Sequence, residues 1–222
     1  MTPWTLVDRT DAADGTRMEL LRRGNQFSIR VDGHLLMNSR VHDSEETLAE
    51  LALRELRERA EARVLVGGLG FGFTLAAALA RLGPSARVWV AEIAPEVVRW
   101  NREWLKDLNG MALEDPRVVV LERDIVEVFG ASTQRYDAIL LDVDNGPRAV
   151  GRPTNAWLYM PDGLAEMREA LNPGGVLAVW SAGPEPTFSE RLRAAGFEVT
   201  LHRTQSHAAK TKERHFIWIG TR

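Results

Sequence analysis

Glu92 closes a short apolar run, Arg87 to Ala91, about twenty residues after the glycine-rich segment Gly67-Gly68-Leu69-Gly70-Phe71-Gly72. The run Arg63 to Val66 leads into those glycines, and Phe73 to Leu79 reads as a helix that follows them. A glycine turn between a strand and a helix lets a ligand approach bare backbone, and the helix N-terminus favours polar or anionic groups. An acid at the end of the next strand can accept hydrogen bonds from ribose hydroxyls. Asp124 follows a third apolar run, where it can hold an adenine amino group or cap the short helix after it. Asp142 ends a fourth run, Ala138 to Leu141, with Asp144 two residues on. Ligands of open α/β sheets bind outside the carboxyl ends of the strands, so all four markers converge on one nucleoside-binding crevice.

The elements that must position these residues are legible as an alternation. Strands are expected near 63–67, 87–92, 117–121, 136–142, 174–180 and 197–202, with a last one at 216–219. Helices are expected near 73–82, 95–108, 161–171 and 186–195. Val118 to Leu121, Ala138 to Leu141 and Val176 to Val179 are apolar at consecutive positions, as a parallel sheet covered on both faces requires. Pro161 suits a helix first turn, and Asn172-Pro173-Gly174-Gly175 reads as a helix stop. Upstream, Phe27, Ile29 and Val31 alternate with polar residues, and Asp32-Gly33 is a hairpin-turn signal. A helix capped by Asp43, with Glu46 in capping-box position, continues through Leu48, Leu51, Ala52, Leu56 and Ala60. The expected fold is α/β: a Rossmann-like, doubly wound, mostly parallel sheet over residues 43–222, preceded by a small antiparallel β appendage over residues 1–42.

Composition narrows the function class. With 45% hydrophobic and 27% charged residues, the 222-residue chain has the balance of a soluble globular protein. A formal net charge of -3 argues against a dedicated nucleic-acid binder. The absence of cysteine excludes disulfides, zinc-thiolate sites and cysteine nucleophiles. His202, His207 and His215 match no metal-site spacing, so no metal is expected. No apolar run reaches the ~20 residues needed to cross a bilayer, and the N-terminus lacks the pattern of a signal peptide, so a cytoplasmic enzyme is expected. A dinucleotide is disfavoured: Gly68 and Gly70 fit Gly-x-Gly-x-x-Gly, but Phe73 occupies the third site. Arg148, Arg152, Trp157 and Tyr159 lie in a long connection over 145–159, where they can wall a substrate or simply pack. Trp100 and Trp104, four apart on one helix, suit packing or a subunit contact, and a homodimer is expected.

Five segments carry a family likeness: Val64 to Gly72, Val90 to Val98, Asp115 to Val118, Tyr136 to Asp142 and Leu171 to Leu177. Together they resemble the class I S-adenosylmethionine-dependent fold and, more narrowly, the spermidine synthase (polyamine aminopropyltransferase) family. The resemblance implies that Gly67, Gly68, Gly70 and Gly72 approach the methionine part of the ligand. It implies that Glu92 takes the ribose hydroxyls, Ile93 packs on the adenine face and Asp124 takes the adenine amine. That family carries an Asp-x-x-Asp element after the fourth strand and a Tyr-His pair early in the helix after the β appendage. Here Asp142 matches the first acid, Asn145 stands at the second, and Thr47-Leu48-Ala49-Glu50 lacks the pair. A diamine pocket needs carboxylates at both ends, so the altered pocket favours methyl transfer from S-adenosylmethionine to a small, amine-type acceptor, with Asp142 and Asp144 managing the acceptor and its proton. Aminopropyl transfer from decarboxylated S-adenosylmethionine is the second expectation, and a non-catalytic nucleoside-binding regulator the third.

Overall fold

Antiparallel pairing of short, one-sided strands builds the N-terminal sheet. Strands β1 (Thr5–Asp11), β2 (Arg17–Arg23), β3 (Gln26–Val31) and β4 (His34–Asn38) lie side by side in that order. The computed structural model describes residues 2–11, 15–56, 59–131, 135–143, 146–147, 153–205 and 214–222. Met18, Leu20, Phe27 and Ile29 are buried and supply the sheet's apolar face. Asp32 and Gly33 both adopt positive φ, at 50° and 79°, the pair of left-handed residues that a two-residue hairpin of right-handed twist demands. Strand β1 is absent from the sequence expectation, because Thr5 to Asp11 contains too few apolar residues to show an alternation.

Helix α1 (Asp43–Ala52) follows, one residue out of phase with the expected cap. His42 takes the N-cap position without a side-chain cap bond, and its Nδ1 meets Glu46 Oε1 at 2.8 Å instead. The helix ends at Ala52 and gives way to a tight turn over Arg54–Leu56, short of the expected Ala60.

From there strands and helices alternate: β5 (Arg63–Gly67), α2 (Phe73–Leu79), β6 (Arg87–Ala91), α3 (Pro95–Glu103), β7 (Val118–Leu121), α4 (Ile125–Ala131), β8 (Tyr136–Leu141), α5 (Pro161–Ala170), β9 (Leu171–Ser181), α6 (Phe188–Ala194), β10 (Glu198–Gln205) and β11 (Arg214–Thr221). The seven-stranded sheet has the order β10-β11-β9-β8-β5-β6-β7. Strands β5 to β9 are parallel, and β11 runs antiparallel to both its neighbours. This is the expected α/β, mostly parallel, doubly wound architecture. Helix α3 is shorter than the sequence suggests, since the Leu105 N–H reaches Trp100 O and widens its last turn.

One apolar layer packs α1, α2 and α3 on one face, and a second packs α4, α5 and α6 on the other. Central β8 is buried along its whole length, as its apolar run requires. Strand β7 has an equally apolar sequence but sits at the sheet edge, where Val119 stays 38% exposed. Among the described residues no helix is long and apolar enough to cross a membrane, and no cluster of His, Asp and Glu is arranged to hold a metal ion.

Candidate active site

The crevice at the carboxyl ends of β5, β6, β7 and β8 is assembled from the backbone outward. Gly68 takes a φ of 87°, and a Cβ there would collide with the Asp142 carbonyl oxygen. The loop after β5 is thereby pressed onto the backbone of the residue that ends β8, and the Asp142 N–H donates to Gly67 O at 2.9 Å. Gly72, at the N-cap of α2, has a φ of 81°, and a Cβ would lie 2.7 Å from Asn109 Nδ2. Only glycine supplies both the left-handed backbone and the room. Gly70 sits under Met37 of β4, whose Sδ would be 3.3 Å from an added Cβ, so the N-terminal sheet covers the loop. A Cβ on Gly67 would meet Ile125 Cγ1 and Leu141 Cδ2 at 3.2 Å, inside the layer below.

The carbonyl side of this loop is held by two buried asparagines. Asn101 Nδ2 donates to Gly70 O and to Val97 O, each at 2.8 Å. Asn109 Nδ2 donates to Phe71 O at 3.1 Å and to Asn101 Oδ1 at 2.7 Å. The opposite side meets Glu92, whose Oε2 accepts from the Leu69 N–H at 3.0 Å and whose Oε1 accepts from the Ala94 N–H at 2.9 Å. Burial pushes the Glu92 carboxyl above its ordinary value, while the N–H groups of Ala94, Leu69, Gly70 and Ile93 pull it down. Each carboxylate oxygen has two acceptor sites, so the backbone bonds orient Glu92 and leave capacity for a diol.

Ile93 is 43% exposed beside it. Asp124 lies one strand away at the end of β7, and its Oδ1 accepts from the Val126 N–H at 2.9 Å, so it caps the turn into α4. Glu92 and Asp124, at the ends of adjacent strands and next to a glycine turn, make a set of acceptors that fits the hydroxyls of a ribose and the amino group of an adenine.

Asp142 stands at the inner end of the crevice. Thr74, in the first turn of α2, donates from Oγ1 to Asp142 Oδ2 at 2.6 Å. Burial raises the Asp142 pKa to about 6, against the pull of that bond. Facing it from the first turn of α1 is Glu45, raised to about 7 by burial and then by the charge of Asp142. Ser44 Oγ donates to Glu45 Oε2 at 2.6 Å. A second carboxylate beside Asp142 therefore comes from α1. Asp144 lies outside the described residues, as do Asn145, Arg148, Arg152 and His207. Tyr159 is buried against Phe188, with ring centroids 5.8 Å apart, in the layer on the far side of the sheet from Glu45.

Glu45, Thr74, Asn101 and Asn109 escape a sequence reading built on strand ends. A signal for Glu45 was present: with Leu48, Ala49 and Ala52 it occupies positions i, i+3, i+4 and i+7, which places an acid on the buried stripe of α1. An ionisable residue on an apolar stripe marks a pocket more often than a surface.

Comparison with known proteins bears on this geometry. A polyamine aminopropyltransferase of Mycobacterium tuberculosis is 29% identical over 188 residues, covering 81% of this chain and 34% of the relative. One from Corynebacterium efficiens is 30% identical over 169 residues, covering 75% of this chain and 31% of the relative. Polyamine aminopropyltransferase 1 of Hyperthermus butylicus is 30% identical over 162 residues, with 71% and 51% covered. The chain thus spans about a third of the length of the first two relatives and half of the third. The spermidine synthase structure of Thermotoga maritima superposes with a TM-score of 0.75 at 16% identity, over 97% of this chain and 72% of that one. A spermidine synthase complexed with the transition-state analogue AdoDATO gives the same values, and both likenesses establish the fold.

These relatives overturn methyl transfer as the leading expectation, since each is an aminopropyltransferase. Residues 42–191 match the spermine/spermidine synthase domain, and with two thirds of its length inside that match the chain belongs to the spermine/spermidine synthase family.

Proposed function

We propose that this protein transfers the aminopropyl group of decarboxylated S-adenosylmethionine to a small primary amine. The observation that carries the reading is the Glu45 and Asp142 pair, two carboxyls raised to about 7 and about 6 beside a glycine loop and the acceptors Glu92 and Asp124. Decarboxylated S-adenosylmethionine, when bound, supplies a sulfonium whose adjacent propyl carbon takes the nitrogen lone pair as the carbon–sulfur bond breaks and methylthioadenosine leaves.

The residues of the chain divide the remaining work. Gly67, Gly68, Gly70 and Gly72 present bare backbone to the sulfonium side of the ligand. Glu92 binds the ribose hydroxyls, Ile93 the adenine face and Asp124 the adenine amine. Asp142 accepts a hydrogen bond from the attacking amine and takes its proton, and a carboxyl poised near neutral pH suits that role. Glu45 adds negative charge that draws a cationic amine in, and the same charge disfavours the extra carboxylate of intact S-adenosylmethionine. Residues 43–222 act as the catalytic domain, and residues 1–42 as an appendage that covers the loop through Met37.

The test is incubation of the purified protein with decarboxylated S-adenosylmethionine and a panel of primary amines, read by mass spectrometry. Methylthioadenosine and an aminopropylated amine should form in equal amounts. Transfer of a methyl group instead, or release of methylthioadenosine without an adduct, would falsify the reading.

A further inference from the structure

The first turns of α1 and α2 meet beside the end of β8. His42, just before α1, stacks on Phe73, the first residue of α2, with ring centroids 4.3 Å apart. Thr74 comes next and holds Asp142 through its hydroxyl at 2.6 Å. Glu45 faces Asp142 across this junction, and Ser44, only 2% exposed, donates to Glu45 Oε2 at 2.6 Å. Two carboxyls, each with its own hydroxyl donor, therefore stand together where the amine is to react.

Their surroundings leave the pair to interact mainly with itself. Among the described residues packed on α1, the carboxylates that reach Glu45 are Asp142 and then Asp43 of its own turn. Glu46 is turned to His42, and neither α2 nor Val176–Ser181 of β9 brings a charged side chain. His202 of β10 lies beside Arg54, past the far end of α1, and His215 of β11 packs on Trp180.

Proton accounting gives this pair a task. A primary amine is an ammonium at neutral pH, like a Lys side chain, and must lose one proton before its lone pair is free. That lone pair then forms the carbon–nitrogen bond, the carbon–sulfur electron pair leaves with the thioether, and positive charge passes from sulfur to nitrogen. The departing thioether takes no proton. An Asp142 that kept the amine's proton would be neutral just as charge arrives on the nitrogen beside it, whereas a carboxylate there stabilises that charge.

We infer that Glu45 takes from Asp142 the proton that the attacking amine gives up, so that Asp142 is again a carboxylate when the nitrogen becomes cationic. The inference rests on the transfer reading above and assigns the path of the proton at the same site. Of the two carboxyls Glu45 is raised further, to about 7 against about 6, because the charge of Asp142 adds to burial, so the shared proton rests on Glu45. Glu45 is half-buried and passes the proton on to water before the next turnover.

The experiment is the pH dependence of aminopropyl transfer to 1,4-diaminobutane in wild type, Glu45→Gln and Ser44→Ala. Both carboxyls must be ionised at the start, so at the acid end kcat/KM should climb one decade per pH unit more steeply in wild type than in Glu45→Gln. Ionisation of the free amine contributes equally to both and drops out of the difference. In Glu45→Gln kcat should fall by about 10²-fold, the lower end for a lost proton-transfer group, with methylthioadenosine affinity by calorimetry changed by no more than about twofold. Ser44→Ala removes a bond that favours ionised Glu45, so its acid limb should move to higher pH and keep the steep slope. Equal slopes in wild type and Glu45→Gln, a loss confined to KM for the amine with kcat intact, or an acid limb that Ser44→Ala does not move overturns the inference and leaves aminopropyl transfer standing. A wild-type protein that forms no aminopropylated amine sinks the transfer reading, and this inference with it.

Discussion

Thr74 Oγ1 donates a 2.6 Å hydrogen bond to Asp142 Oδ2, and so joins the first turn after the glycine loop to the carboxylate that ends β8. The bond is buried, with Thr74 only 2% exposed, and it favours the ionised form of Asp142. Thr74→Val keeps the shape and removes the donor. Asp142 should then hold its proton to a pH above its present value of about 6. With the ionised carboxylate as the proposed base, the acid limb of the kcat/KM profile should move to higher pH, by on the order of one unit. Rate at pH 9 should change little. An acid limb that stays in place would show that Asp142 is not the group titrating in the profile.

The acidic pair also sets how stability depends on pH. Glu45 and Asp142 titrate near 7 and 6 in the folded chain, against about 4 for carboxyls in an unfolded one. Between those values the native state binds more protons than the unfolded state, so stability falls as pH rises from about 4 to 7. Asp142→Asn removes the charge that raises Glu45, and Glu45 should then ionise at lower pH. The variant should resist urea better than wild type at pH 8, with the difference shrinking at pH 4, while transfer falls by about 10²–10⁴-fold. Loss of activity with no gain in stability at pH 8 would remove the electrostatic conflict from the account.

The parallel core and the crevice were legible because their signals are local. A glycine run after an apolar strand, and an acid at the end of the next, sit within thirty residues and need no knowledge of packing. Glu45 was not found this way, because its meaning depends on α1 crossing over the end of β8, a contact between segments nearly a hundred residues apart. Asn101 and Asn109 read as ordinary helix and loop residues until their bonds to Gly70 O and Phe71 O are seen. Strand β1 was lost for another reason: it pairs along one edge of an exposed sheet, and little apolar burial marks its sequence.

Asn101 should act as a positioning residue for the adenosyl ligand. Its amide satisfies Gly70 O, and its own Oδ1 accepts from Asn109, so Asn101→Ala leaves Gly70 O without its side-chain donor and removes one of the two acceptors of Asn109 Nδ2. The expected loss of stability is about 1–3 kcal/mol, since buried groups left unpaired cost that much each at most partly relaxed sites. A purely structural residue would cost stability alone. Because Asn101 fixes the loop that the ligand approaches, methylthioadenosine affinity measured by calorimetry well below the variant's Tm should also drop, and KM for decarboxylated S-adenosylmethionine should rise more than kcat falls. Unchanged affinity in a folded variant would confine Asn101 to a structural role.

The same helix ties the loop to the N-terminal sheet. Trp100 Nε1 donates to Asp8 Oδ2 at 2.6 Å, and Arg99 Nη2 meets that oxygen at 2.6 Å, while Asn101 grips Gly70 from the next position of α3. Although burial opposes it, the bonds from Trp100 and Arg99 hold Asp8 below its ordinary pKa, so this contribution is present at neutral pH and fades only as pH falls through the depressed value. With Met37 of β4 lying on Gly70, the first sheet touches the loop directly and through α3. Asp8→Ala removes the shared acceptor and leaves the buried indole N–H unpaired. Hydrogen exchange at pH 7 should then accelerate in β1 and also in residues 68–72, which Asp8 does not contact. Acceleration confined to β1 would show that the sheet and the ligand loop open independently, and that the coupling runs through neither Trp100 nor Arg99.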